Sequence, residues 1–241
     1  SEYDGIWLGG DVCSESLLEY STLEYIDNLF DLKHPNTHWA FGNHDSRNGN
    51  WIWFEELSGK KTYYTSHYKG ITYMVLNSTL TPYHCEQLND QYRIIVNLCD
   101  TISESSHLIF LVHHCLWENV PGLPVPYKYA QSNLRYFSFT CDNPNATFLN
   151  DIYPRLIEVK NRGVEVILIM GDMGSQRINI LNPDGIHFVG TGLNRSKYQD
   201  PEVRENSDRD WFIEFKHVPE TRWLDWKFHD LDSTMQVRGL Q

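Results

Sequence analysis

Four short apolar runs in this chain end directly in residues able to bind a metal ion, and this constrains the fold more than any other feature. Residues 5–8 lead into Gly9-Gly10-Asp11, and residues 37–41 into Gly42-Asn43-His44-Asp45. Residues 108–112 lead into His113-His114, and residues 164–170, the most apolar run, into Gly171-Asp172. Helical spacing lies between them. Leu17, Leu18, Leu23, Ile26, Leu29 and Phe30 predict a helix within 14–33, stopped at Pro35. Leu88, Tyr92, Ile95, Val96, Cys99 and Ile102 predict another over 84–103. Buried strands alternating with amphipathic helices predict an α/β fold. Ligands of an open α/β sheet bind beyond the carboxyl ends of its strands. Four strands of one sheet would therefore point Asp11, Asn43, His113 and Asp172 into one cleft.

The rest reads as one domain over 1–241. A short helix is expected over 51–57, closing at Gly59, and a hairpin over 61–78 turning at Lys69-Gly70. Residues 116–148 hold four of the ten prolines and many aromatics, and read as a long irregular excursion. Trp117, Tyr127, Tyr129, Tyr136 and Phe137 in it either form a lid over a substrate or pack the loop down. A helix is expected near 149–161. Runs at 186–190, 211–216 and 224–229 alternate at period two and predict a second, largely antiparallel β layer.

With 20 basic and 32 acidic residues the net charge is −12, which opposes general nucleic-acid binding. No apolar run reaches the roughly 18 residues of a membrane span. An anionic substrate would need a local positive charge, such as a metal. The five cysteines are odd in number and widely spaced, with no CxxC pair, so reduced thiols are expected; the compartment stays open, with the cytoplasm slightly favoured over export. The Asn-x-Ser/Thr triplets at Asn77, Asn145 and Asn194 carry little weight.

Asp, Asn and His ligands suit Mn, Fe, Zn or Mg, one ion or two. Such ions polarise a phosphoryl oxygen and lower the pKa of bound water from 15.7 towards about 7. His44 is placed to protonate a leaving alkoxide, with Asp45 holding its imidazole. Each motif alone reads as an ordinary turn or strand exit; the conjunction points to a site.

Leu8-Gly9-Gly10-Asp11, then Gly42-Asn43-His44-Asp45-Ser46-Arg47, then Leu111-Val112-His113-His114, in that order, resemble the calcineurin-like metallophosphoesterase superfamily over most of the chain. The resemblance implies a four-layer αββα sandwich of two mixed sheets flanked by helices, with two metals at the strand ends. It implies that Asp11 bridges the metals and that Asn43 and His113 bind the second. It also implies that His44 contacts the phosphate, and that Arg47 lies near the substrate together with His114. Two departures matter. The family's upstream Asp-x-His motif occurs nowhere in the sequence, and its Gly-His-x-His stands here as Gly171-Asp172-Met173-Gly174. Asp172 can supply an oxygen ligand; Gly174 supplies none. An apolar first strand that opens the chain suggests a missing first β-α unit that would carry Asp-x-His.

The sequence thus points to a metal-dependent phosphoesterase acting on a small phosphomonoester or phosphodiester. The rival is a degenerate relative that binds a phosphorylated ligand or acts as a scaffold without turnover. Cys13 and Cys115 flank the motifs and read as packed thiols rather than a nucleophile or ligands. His67, His84, His187, His217 and His229 lack ligand spacing and read as structural.

Overall fold

The computed structural model describes residues 3–124, 138–173, 176–193 and 210–237. The first unit is β1 (Ile6–Leu8), α1 (Tyr20–Phe30) and β2 (Thr37–Trp39), with β1 and β2 parallel in a two-stranded sheet. The short α2 (Asn43–Ser46) follows β2 at once, then α3 (Trp51–Ser58). Leu23 and Ile26 of α1 and Phe54 of α3 bury against Trp39 and Phe41 on one side of this sheet. The expected helix over 14–33 is shorter than its apolar pattern. Leu17 is buried from a turn before α1, so the apolar pattern starts before the helix.

A six-stranded mixed sheet forms the centre. It comprises β3 (Tyr64–Tyr68), β4 (Ile71–Val75), β5 (His107–Val112), β6 (Glu165–Met170), β7 (Ile178–Leu181) and β8 (His187–Gly190), ordered β3-β4-β5-β6-β8-β7. The β3–β4 hairpin turns where expected, through Lys69 and Gly70 at φ of 48° and 81°. Both values lie in the left-handed region, which suits the twist of a two-residue hairpin. Side chains alternate along the central strands. Leu108, Phe110 and Val112 face one core with Val166, Leu168 and Met170. Ile109 and Leu111 face another with Ile167 and Val189.

Helices α4 (Cys85–Thr101) and α5 (Tyr153–Asn161) cover the first face through Ile95, Leu98, Cys99, Leu156 and Val159. The second face meets Trp7 of β1, Ala40 just after β2, and Ile213, Leu224, Trp226 and Phe228. The last four belong to the antiparallel pair β9 (Trp211–Val218) and β10 (Trp223–Asp230), which α6 (Leu231–Val237) follows.

Three expectations need correction. The metal-competent exits belong to two facing sheets rather than one, because β1 and β2 pair only with each other among the described residues. The run at 186–190 joins the central sheet as β8, parallel to β6, instead of the β9–β10 layer. Alternation reports one buried and one less buried face but not which neighbour supplies the hydrogen bonds. The cysteines are also not all reduced: Cys85 at the start of α4 is disulfide-bonded to Cys141, with Cα atoms 5.6 Å apart. Cys13, Cys99 and Cys115 are not disulfide-bonded.

Within the excursion, Trp117 and Phe139 are buried in the core, which fits packing the loop down. Tyr127, Tyr129, Tyr136, Phe137 and Gly174 lie outside the described residues, as does nearly all of the polar loop at 194–210. No helix among the described residues is long and apolar enough to cross a membrane.

Candidate metal centre

The two sheets meet at their strand exits through glycine. A Cβ built on Gly171 would lie 1.9 Å from the Gly9 carbonyl oxygen, and one on Gly42 would lie 2.1 Å from Asp11 Oδ1. With no side chains at these points, the exits of β1, β2, β5 and β6 come together. Asp11 itself takes φ of 51°, an uncommon conformation for a residue with a side chain, immediately after Gly10 at 91°.

Asp45 holds this turn. It is fully buried and accepts five hydrogen bonds. Oδ2 takes the amides of Asp11 at 2.7 Å and Gly42 at 2.9 Å and the Trp39 indole at 3.1 Å. Oδ1 takes the Ser16 hydroxyl at 2.5 Å and the Val12 amide at 3.2 Å. Burial pushes the Asp45 carboxyl up, and the Ser16 and Gly42 donors pull against it. Both oxygens are therefore committed to the loop, and Asp45 does not hold the His44 imidazole as expected. His44 Nδ1 instead donates to the Ser14 carbonyl at 2.7 Å, and Nε2 lies 3.3 Å from Arg47 Nη2. Arg47 is exposed and paired with Glu15 at 2.7 Å.

The Asp11 carboxylate accepts the His44 amide on Oδ1 at 2.8 Å. Its Oδ2 lies 3.3 Å from Nε2 of His113. The other nitrogen of His113, Nδ1, lies 2.7 Å from the Gly9 carbonyl, which can only accept. The ring proton therefore sits on Nδ1. In the neutral ring, Nε2 then presents a lone pair to a carboxylate oxygen. His113 is 2% exposed, and its Nε2 is buried without a hydrogen-bond partner. Two lone pairs facing each other in a buried site call for a cation or a proton between them. The charge balance agrees. Burial alone would lower the His113 pKa, but the Asp11 carboxylate, Asp172 and the Gly9 carbonyl together outweigh it and hold the ring above its ordinary value. Burial alone would raise Asp11, and His113 with the His44 amide brings it below the usual carboxylate range.

His114 is buried beside His113, the two rings 4.7 Å apart and nearly perpendicular. Burial, followed by the charge of His113, pushes its pKa down to about 3, so it is neutral at ordinary pH. Asp172, half-buried, is raised by burial and feels His113 and Asp11. One ligand atom each from His113, His114 and Asp172 fall within 4.8 Å of one another, and the group can hold a metal ion.

Of the four ligands expected from the sequence, His113 and Asp172 fall in that group, and Asp11 stands outside it, joined to it through His113 at 3.3 Å. Asn43 is exposed at the start of α2, between Gly42 and His44, both of which touch Asp11. His114, expected against substrate, joins the candidate ligand group. Adjacent strand residues point to opposite faces, but the chain leaves β5 after Val112, which frees both rings to meet. Cys115 packs with its sulfur 3.4 Å from that of Met173, as a buried thiol should. Cys13 is half-buried, and burial raises its pKa, which disfavours a thiolate nucleophile. Trp39 and Ser78 were not singled out in the sequence, and their roles appear only once the turns are folded. No protein-family model matches the chain, and no curated protein matches it.

Proposed function

We propose that the chain is a metal-dependent phosphoric ester hydrolase on the four-layer αββα plan of the calcineurin-like metallophosphoesterases. The supporting observation is the unpartnered His113 Nε2, 3.3 Å from the Asp11 carboxylate and grouped with His114 and Asp172. The layers are consistent with this plan: helices α4 and α5 on one side of the central sheet, small sheets on the other, and α1 and α3 beyond β2.

A divalent cation in this site supplies Lewis acidity towards a phosphoryl oxygen and makes water nucleophilic near neutral pH. The protein's own groups do the rest. Asp11, His113 and Asp172 hold the cation, and Asn43, flanked by two residues that touch Asp11, offers a further oxygen. Arg47 would donate to the remaining phosphoryl oxygens. A phosphoryl group that draws Arg47 away would free His44 Nε2, which would first take a proton from solvent, Nδ1–H staying on the Ser14 carbonyl, and then give it to the leaving oxygen. Gly9, Gly42 and Gly171 keep the cleft narrow.

The test is hydrolysis of p-nitrophenyl phosphate and bis(p-nitrophenyl) phosphate, with and without chelator. Turnover should vanish with chelator and return with Mn²⁺ or Zn²⁺. Asp11→Asn and His113→Ala should each lower kcat/KM by about a hundredfold or more. Bound metal with no turnover of either ester would overturn the proposal in favour of a phosphoryl-binding protein without catalysis.

A further inference from the structure

The arrangement around His114 says which class of cation the site takes. We propose that His114 joins His113 and Asp172, beside Asp11, in a centre with two imidazoles that selects a borderline transition-metal dication such as Zn²⁺, Co²⁺ or Fe²⁺ over Mg²⁺ and Ca²⁺. His114 is then a ligand rather than a substrate contact. This rests on the metal-binding half of the proposed function and not on hydrolysis.

Both imidazoles are pinned through Nδ1 by an oxygen. His113 Nδ1 is held on the Gly9 carbonyl, and His114 Nδ1 lies 2.7 Å from Ser78 Oγ. Ser78 also accepts the His114 amide at 3.3 Å, so one hydroxyl fixes both the backbone and the ring. An oxygen that accepts from Nδ1–H, as the Gly9 carbonyl must and the Ser78 hydroxyl can, orients a ligating ring and leaves Nε2 for the metal. Both histidines are buried, and the three ligand atoms already lie within 4.8 Å of one another. The Nε2 of His113 has no other use. Mg²⁺ and Ca²⁺ require oxygen ligands, several of them water, whereas two imidazole nitrogens and a carboxylate suit the later divalent ions.

The experiment is calorimetric titration of the metal-free full chain with Zn²⁺, Co²⁺ and Mg²⁺, together with X-ray absorption of the Zn²⁺ form to count imidazoles. Two imidazoles are expected in the wild type and one in His114→Gln, which should bind Zn²⁺ at least tenfold more weakly. Ser78→Ala leaves every ligand in place and should weaken Zn²⁺ binding by about tenfold. Mg²⁺ should not compete at equal concentration. Mg²⁺ binding as tight as Zn²⁺, or fewer than two imidazoles in the wild type, overturns the assignment, and the second readout holds even if His114→Gln fails to fold. Zn²⁺ on two imidazoles with no ester hydrolysed would sink the hydrolase and leave the site standing. Hydrolysis supported by Mg²⁺, undiminished in His114→Gln, would do the reverse.

Discussion

Nε2 of His113 lies 3.3 Å from Oδ2 of Asp11, joining the exit of β5 to the exit of β1 across two facing sheets. In metal-free protein this pair links stability to pH. His113 is held above its ordinary 6.5, so its contribution is complete below 6.5 and is lost as pH rises through the folded value. Asp11 is held below its ordinary 3.8, so its contribution is present above 3.8 and is lost as pH falls through the lower folded value. In chelator, the thermal midpoint should fall as pH rises from 6 to 9, and His113→Gln should remove that fall. With Zn²⁺ bound the fall should also disappear, because the cation takes the place of the proton. A midpoint in chelator that is flat across this range, in wild type and variant alike, counts against the pair.

Gly42 is the point at which β2's exit is closest to the Asp11 carboxylate. Its backbone φ of −97° is ordinary, so an alanine there carries no conformational strain. Its Cβ would nevertheless stand 2.1 Å from Asp11 Oδ1, within van der Waals overlap. The Cβ would also stand 2.8 Å from the Asp11 amide nitrogen, so the Asp11 backbone would have to shift along with its carboxylate, which would lose the His44 amide. Gly42→Ala should therefore fold, with a stability cost of about 1–3 kcal/mol, yet bind Zn²⁺ at least tenfold more weakly. Calorimetry beside a denaturation curve separates the two effects. Unchanged affinity would show that Asp11 is not needed where it stands.

What was legible in the sequence was local. The Lys69-Gly70 turn, α4, β5 and β6 follow from period, caps and turn residues, and each strand exit carries its polar residues in plain view. What was not legible depends on which element packs on which. The two strand pairs Asp11–Asn43 and His113–Asp172 looked like exits from one sheet because helices separate them, yet the link between them is face-to-face packing relieved by Gly9 and Gly171. Strand β7 was missed because its four residues have a mixed burial pattern and pair only with β8. The role of His114 depends on Ser78, three residues beyond the end of β4, and no spacing rule connects them.

Asp45 illustrates the same point and gives a sharp test. It sits beside His44 in sequence, but its two oxygens serve five donors and none of them is His44. Asp45→Asn puts an amide nitrogen where two or three donors converge, leaving them unsatisfied in a fully buried site. The expected cost is about 3–5 kcal/mol, seen in urea denaturation. The pH dependence of any residual turnover should keep its shape, because the His44 ring is held by Ser14 and Arg47 instead. A shifted pH profile with full stability would return Asp45 to the role of imidazole partner.

The Cys85–Cys141 bridge ties the start of α4 to the returning end of the excursion, 56 residues along the chain. Asn89 reinforces the junction, accepting the Thr140 hydroxyl at 2.7 Å and the Cys141 amide at 2.8 Å. Closing a loop of this length in the unfolded chain is worth about 4 kcal/mol, so Cys141→Ser should lower stability by roughly that amount. Zn²⁺ affinity should be unchanged, since neither cysteine nor Asn89 touches Asp11, His113, His114 or Asp172. Alkylation of the unfolded, unreduced protein should label three thiols, Cys13, Cys99 and Cys115. Labelling of all five cysteines would show the bridge absent. Disulfides persist in oxidising compartments and are rare in the cytosol. Three labels would therefore argue against the cytoplasmic setting that the odd, scattered cysteines first suggested.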